Sequence, residues 1–163
     1  MRNLIRPAAL AALGWMALAS SAALANPATV TYAEPDQFTD VPRSAWDRER
    51  ILKQLSGHFD ALAARLPAGQ TLSVEVLDLD LAGRTFPGAM RNPDLRVMGT
   101  GADWPHMRLR YAVKEGDKVI KSGEDTLSSM SYLERINRYD KGDSLRYEKA
   151  MLDEWFKSKI VVG

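Results

Sequence analysis

The sequence contains no cysteine, and this absence excludes several kinds of chemistry at once. Disulfide bonds, thiol redox reactions and thiolate metal sites all need cysteine side chains, and so does a lipid-modified N-terminal cysteine. The folded chain must therefore be stabilised by the packing of its core alone.

Histidine is also scarce, because the chain has only His58 and His106. The familiar catalytic motifs are missing too: there is no His-Glu-x-x-His pair, no phosphate-binding loop and no nucleophile elbow. We therefore expect no cofactor and no bound metal, and the absences favour a non-enzymatic protein.

The chain carries no excess of either charge, with 22 basic and 21 acidic residues. Without Arg2 and Arg6, which lie in the N-terminal segment discussed next, 20 basic residues remain against the same 21 acidic ones. A nearly neutral chain gives no electrostatic reason to expect a nucleic acid partner.

Residues 1–25 have the pattern of a secretory signal peptide. Arg2 and Arg6 provide the charged start, 8–19 the apolar region, and 23–25 the small-x-small cleavage pattern. We expect cleavage after Ala25 and a single exported domain over 26–163, located in the periplasm or secreted. No later apolar run approaches the roughly 20 residues of a membrane span.

The mature sequence begins with a short β-branched and aromatic run over 29–32, which predicts a strand. Ser44, followed three residues later by Asp47, is typical of a helix start. A helix of about 22 residues is expected to follow, with an apolar stripe facing a sheet and His58 at the rim of that stripe.

Residues 70–83 predict a strand whose alternation changes phase near Leu77, which indicates a bulge or a strand covered on both faces. Asp78 and Asp80 lie about 6 to 7 Å apart on such a strand. That spacing suits a metal or an acid/base pair. A calcium loop is not expected, because Ala82 and Ala89 stand where oxygen ligands are needed.

Residues 106–114 alternate cleanly, and a turn at 115–117 returns the chain as a hairpin over 119–127. Arg108 and Arg110 match Asp78 and Asp80 in spacing. If the two strands are neighbours, the simplest interpretation is a ladder of ion pairs on the solvent face. His106, beside that ladder, keeps a functional site as the alternative.

The segment between Gly83 and Pro105 is rich in glycine and proline, and it predicts a long loop with a short edge strand at 95–98. Phe86 and Trp104 lie on this loop. Aromatic side chains on such a loop either bind a ligand or partner, or cap the core, and the sequence does not separate these roles.

The C-terminal stretch predicts an amphipathic helix that is capped by Asp143 or Ser144 and ends near Ile160. Glu148 falls on its apolar stripe, between Leu152 and Trp155. A buried carboxylate needs a partner or a raised pKa. We expect an arginine partner for Glu148, and the candidates are Arg108, Arg110, Arg135 and Arg138.

Strand, helix, strand, hairpin and helix in this order predict an α/β (α+β) fold, a two-layer sandwich. It would have a mixed sheet of about four strands with two main helices on one face. A right-handed crossover through the first helix makes the strands on either side of that helix parallel.

Three stretches resemble the bacterial domain of unknown function 3016 family. They are Leu77-Asp78-Leu79-Asp80-Leu81-Ala82-Gly83, then Gly123-Glu124-Asp125-x-Leu127, and the long run from Asp143 to Phe156 that contains Arg146, Glu148 and Trp155. The resemblance implies a small exported protein and assigns no activity, cofactor or catalytic residue.

The sequence therefore favours a periplasmic binding or accessory module of the cell envelope, acting on an unknown envelope protein or a small ligand. The alternative is a metal-dependent or acid/base hydrolase built on Asp78, Asp80 and His106. Candidate binding or ion-pair positions are Asp78, Asp80, Phe86, Trp104, His106, Arg108, Arg110, Arg146 and Glu148.

Overall fold

The structure is a computed structural model that describes residues 28–85, 96–99 and 101–161. Its elements are β1 (Thr29–Tyr32), α1 (Ala45–Ala63), β2 (Gln70–Asp80), β3 (Arg84–Thr85), β4 (Arg96–Val97), β5 (His106–Glu115), β6 (Lys118–Ser128) and α2 (Arg146–Trp155). The predicted signal peptide and Phe86 lie outside the described residues.

The main sheet has four strands in the order β1-β2-β5-β6. The β1 and β2 strands are parallel and are joined through α1, while β2, β5 and β6 are antiparallel to their neighbours. The mixed four-stranded sheet with two helices confirms the predicted fold class. The β3 and β4 strands form a separate two-stranded ribbon.

The α1 helix starts where the sequence indicates, because Ser44 caps it and its hydroxyl accepts a hydrogen bond from the backbone N–H of Asp47. Its buried stripe consists of Ile51, Leu55, His58, Phe59, Leu62 and Ala63. The helix has 19 residues, somewhat fewer than predicted.

The β2 strand carries the bulge that its change of phase predicted, because the register with β5 shifts between Val76 and Asp78. The bulge absorbs Leu77, so Val76 before it and Leu79 after it are both buried. It also turns Asp78 and Asp80 to the face opposite the core.

One hydrophobic core joins the inner face of the sheet to both helices. It contains Leu72, Val74, Leu109 and Tyr111 from the strands, and Leu55, Phe59, Leu152 and Trp155 from the helices. The opposite face of the sheet is polar, and no described element covers it.

The last helix begins later than predicted. The α2 helix starts at Arg146, and Leu145 occupies its N-cap position without a side-chain cap. Asp143 instead accepts a hydrogen bond from the backbone N–H of Leu145, so it stabilises the turn before the helix. A π-helical turn over Phe156–Val161 continues the chain. No helix in the described ranges is long and apolar enough to cross a membrane.

Candidate functional site

Four of the predicted site residues lie together on the open face of the sheet, because antiparallel pairing sets Asp78 opposite Arg108 and Asp80 opposite His106. They line a groove of about 660 Å³. Its remaining wall consists of Ala33, Glu34, Gln37, Phe38, Thr39, Leu77, Met107 and Thr126. We call this the open-face groove.

Asp78 is held by the chain that crosses the end of the groove. Its Oδ1 accepts a hydrogen bond from the backbone N–H of Thr39 at 2.8 Å, and its Oδ2 accepts one from the Thr39 hydroxyl at 2.7 Å. Both carboxylate oxygens therefore fix the loop before α1, and Asp78 shapes the wall of the groove.

His106 has a neighbour at each ring nitrogen. The indole Nε1 of Trp104 donates a hydrogen bond to His106 Nε2 at 2.6 Å, and His106 Nδ1 lies 3.6 Å from Oδ2 of Asp80. An indole N–H can only donate, so Nε2 is the acceptor of this contact, while Nδ1 forms no hydrogen bond with a described residue. Trp104 thus holds His106 rather than capping the core.

Asp80 is the half-buried carboxylate of this pair. Burial raises its pKa above the usual range, and the neighbouring Asp40 raises it further, while His106 and Arg96 lower it. Asp40 is close because its backbone forms a parallel bridge with Asp80. Asp80 and His106 therefore place a carboxylate and an imidazole ring on the wall of the groove that also contains Arg108.

The ion-pair ladder exists, but its partners differ from the expected ones. Arg110 binds Glu75 of β2 at 2.7 Å and Glu124 of β6 at 3.1 Å, on the open face. The register of β2 with β5 is the reason, because it sets Glu75 opposite Arg110, and the bulge after Val76 sets Asp78 opposite Arg108. Arg108 is exposed and forms no ion pair with any described residue.

Among the described positions, no group of three or more histidine, aspartate or glutamate side chains is arranged to hold a metal ion. In His106, Nε2 accepts a hydrogen bond from Trp104, while Nδ1 lies 3.6 Å from Asp80 and forms no hydrogen bond with a described residue.

Glu148 is buried as predicted, with 1% of its surface exposed, but its partner is different. Its Oε1 accepts a hydrogen bond from the backbone N–H of Ala82 at 2.7 Å, which joins α2 to the chain just after β2. Oε2 has no hydrogen-bond partner among the described residues. Burial raises the pKa of Glu148, and the Ala82 bond opposes that rise.

None of the four predicted arginine partners pairs with Glu148, because three bind other carboxylates and Arg108 lies exposed on the open face. Arg135 binds Glu154, and Arg138 binds Asp153 at 2.7 Å. Arg110 belongs to the ladder with Glu75 and Glu124. The prediction that an arginine pairs with Glu148 is therefore wrong. The expected consequence holds, because the hydrogen bond from Ala82 to Glu148 attaches the last helix to the chain at the end of β2.

Arg96 is the residue that sequence reasoning missed. Its guanidinium donates to the carbonyl oxygens of residues 81, 82 and 83 at 2.7 to 2.9 Å, and it binds Oδ2 of Asp40 at 2.5 Å. Arg96 and Glu148 thus bind the same short turn through opposite backbone groups. No periodic pattern marks an arginine in a glycine- and proline-rich segment, so the sequence offers no signal for this role.

A second polar cluster connects the two helices. His58 is buried, not at the rim, and its Nε2 lies 3.4 Å from Oδ1 of Asp153 in a geometry that forms no hydrogen bond. The hydroxyl of Tyr139 and the guanidinium of Arg138 both donate to Oδ2 of Asp153. Burial lowers the pKa of His58, while Asp153 raises it.

Arg146 lies away from the open-face groove. Its guanidinium lies over the ring of Tyr147, 5.2 Å from the centroid, at the start of α2. This contact belongs to the helix surface. The structure therefore brings together Asp78, Asp80, Trp104, His106 and Arg108, and it places Arg110, Arg146 and Glu148 elsewhere.

Residues 26–158 match the family model described as "Protein of unknown function (DUF3016)". No curated protein and no solved structure matches the sequence.

Proposed function

Because the chain belongs to the DUF3016 family, whose description assigns no activity, we propose from its geometry that it is an exported binding module. The observation that carries the proposal is the open-face groove, which gathers Asp80, His106 and Arg108 on the uncovered side of the sheet. Its volume lies in the range that small-molecule sites occupy.

The charges of the groove indicate the class of ligand. Glu34, Asp78 and Asp80 contribute three carboxylates against the single guanidinium of Arg108. Since Thr39 already binds both oxygens of Asp78, Asp80 and the exposed Glu34 remain to bind a ligand, and Asp80 is the one that lies on the sheet opposite His106. A small polar ligand with a cationic group toward Asp80, and an acceptor toward Arg108, satisfies this wall.

Titration calorimetry and amide chemical shifts test this proposal with a diamine as a dication, free arginine as a cation that also carries a carboxylate, and glucose as a neutral probe. We expect the charged probes to shift amides at 78–80 and 106–108. Asp80→Asn should weaken their binding roughly tenfold to a hundredfold, the loss of one charge-assisted hydrogen bond of about 1.5 to 3 kcal/mol.

Asp117→Asn is the matched control, because Asp117 is an exposed aspartate in the β5–β6 turn, outside the groove. It should bind each probe as the wild type does. Equal binding by Asp80→Asn and the wild type, or shifts confined to other surfaces, would refute the proposal.

The second candidate, an acid/base or metal-dependent hydrolase using Asp78, Asp80 and His106, rests on the 3.6 Å approach of His106 to Asp80. Metal analysis of the purified mature protein separates the candidates. A stoichiometric metal that is lost in both Asp78→Asn and Asp80→Asn would favour the hydrolase and overturn the binding module.

We place this module in the periplasm. The charged start, apolar region and cleavage pattern of residues 1–25 support export. The family match begins at residue 26, directly after the proposed cleavage position, and so agrees with a mature chain that starts there.

A further inference from the structure

The β6 strand has one free side. It pairs with β5 over Lys118–Ser128, and no strand of the described residues pairs with its other side. An edge strand of 11 residues presents a long row of unpaired backbone N–H and C=O groups. The other edge of the sheet, β1, has only 4 residues. The free edge of β6 is therefore the main position at which this sheet can be extended.

The charges of β6 are self-complementary. Lys121 precedes Gly123 by two positions, and Asp125 follows it by two, so both side chains point to the same face of the strand. If a second β6 runs antiparallel with Gly123 on the twofold axis, Lys121 of each copy faces Asp125 of the other. Lysine on an edge strand ordinarily discourages pairing, but here an acid of the same strand neutralises it.

A groove of about 350 Å³ follows the second half of β6 on the side of the helices. Leu127, Met151, Trp155 and Lys159 are among its lining residues, and Asp125 is fixed there by a hydrogen bond from Trp155 Nε1 at 2.9 Å. The antiparallel register brings the start of the second β6 alongside this groove.

The start of β6 carries exposed apolar side chains, because Val119 is 48% exposed and Ile120 is 42% exposed. The register of β6 with β5 shifts between Val119 and Lys121, so Ile120 is unpaired and Val119 points to the face opposite Leu127. Regular pairing with a second β6 therefore covers residues 121–125 of each copy, where it satisfies backbone groups of the free edge.

We propose that a second copy of this chain pairs with the free edge of β6, so that two four-stranded sheets form one continuous sheet across a twofold axis at Gly123. A twofold axis perpendicular to an antiparallel pair keeps each face of the sheet on the same side. Both open-face grooves then lie on one surface of the dimer, and both helical layers lie on the other.

Sedimentation equilibrium of the mature chain tests this with a charge exchange. Lys121→Asp places two aspartates opposite each other at both contacts, and Asp125→Lys places two lysines there. We expect each variant alone to associate about tenfold or more weakly than the wild type. An equimolar mixture restores both ion pairs, so it should associate as the wild type does.

Lys114→Asp is the matched control, because Lys114 is an exposed lysine of β5, away from the free edge. It should leave the association unchanged. Circular dichroism melting checks that each variant folds, since Asp125→Lys also removes the bond to Trp155. Amide hydrogen exchange should show that β6 protection rises with protein concentration.

A wild type that stays monomeric up to about 1 mM would overturn the proposal. Association that Lys121→Asp, Asp125→Lys and their mixture all leave unchanged would also overturn it, because the contact then lies elsewhere. A monomer whose β6 amides become protected only on adding an extended peptide would assign the edge to a peptide partner instead.

Discussion

At the scale of single residues, Glu148 and Arg96 decide how the end of β2 is attached. Glu148 accepts from the N–H of Ala82, while Arg96 donates to the carbonyl oxygens around it. The donors and acceptors of one turn are thereby satisfied from two sides, by α2 and by β4. A turn that is buried in this way needs such partners, because unpaired backbone groups are costly.

Glu148→Gln should remove a dependence of stability on pH. Burial raises the pKa of Glu148 above its usual 4.5, so the folded state favours the neutral carboxyl. The contribution of this raised pKa to the free energy of unfolding is fully present below pH 4.5, and it is lost as the pH rises through the pKa of Glu148 in the folded state. Urea unfolding measured from pH 4 to 8 should show that the free energy of unfolding depends less on pH in Glu148→Gln than in the wild type. At pH 8 the variant should be at least as stable as the wild type.

Glu148→Ala is the contrasting variant, because glutamine can still accept from Ala82 N–H and alanine cannot. We expect it to lose about 1 to 3 kcal/mol for the orphaned N–H and more for the cavity. A pH profile that is the same in the wild type and in Glu148→Gln would contradict the role given to this carboxyl.

At the scale of elements, the turn from β2 into the β3–β4 ribbon depends on close approach as well as hydrogen bonds. Gly83 has φ +77°, and a Cβ built there would lie 2.8 Å from the carbonyl oxygen of Val97 and 2.7 Å from Sδ of Met98. The ribbon therefore packs directly on the glycine. Gly116, in the β5–β6 turn, has φ +59°, and a Cβ built there would find no neighbouring atom within 4 Å.

Gly83→Ala and Gly116→Ala form a matched pair of variants. Both pay the left-handed backbone cost of about 1 to 2 kcal/mol, but only Gly83→Ala also meets a backbone oxygen, which adds about 1 to 3 kcal/mol. Urea denaturation should thus rank Gly83→Ala as clearly less stable. Equal losses would mean that the ribbon moves away from the turn without cost.

At the scale of the whole molecule, export is the property that the charged start and cleavage pattern of residues 1–25 predict. Protein recovered from the periplasm of a bacterial host should have the intact mass of a chain that begins at Asn26. A chain without cysteine should also unfold at the same urea concentration with and without a reductant. A mature chain that retains residues 1–25 would contradict the cleavage prediction.

Much of the fold follows from local patterns. The strand at 29–32, the cap at Ser44, the bulge near Leu77 and the hairpin turn at Gly116 each depend on neighbouring residues, so the sequence predicts them. The predicted cap of α2 is wrong, because Asp143 accepts a hydrogen bond within the turn that precedes the helix. Whether Asp143 caps the helix or stabilises that turn depends on where the helix packs on the core.

The sequence by itself determined that charged residues of the central strands lie on one polar face, and that Glu148 falls on a buried stripe. Only the tertiary structure decided their partners. The register between β2 and β5 sets Glu75, not an aspartate, opposite Arg110, and Ala82 contacts Glu148 although 66 positions separate them. Periodicity fixes the face on which a side chain lies, but contacts between distant segments depend on register and packing, which no local pattern contains.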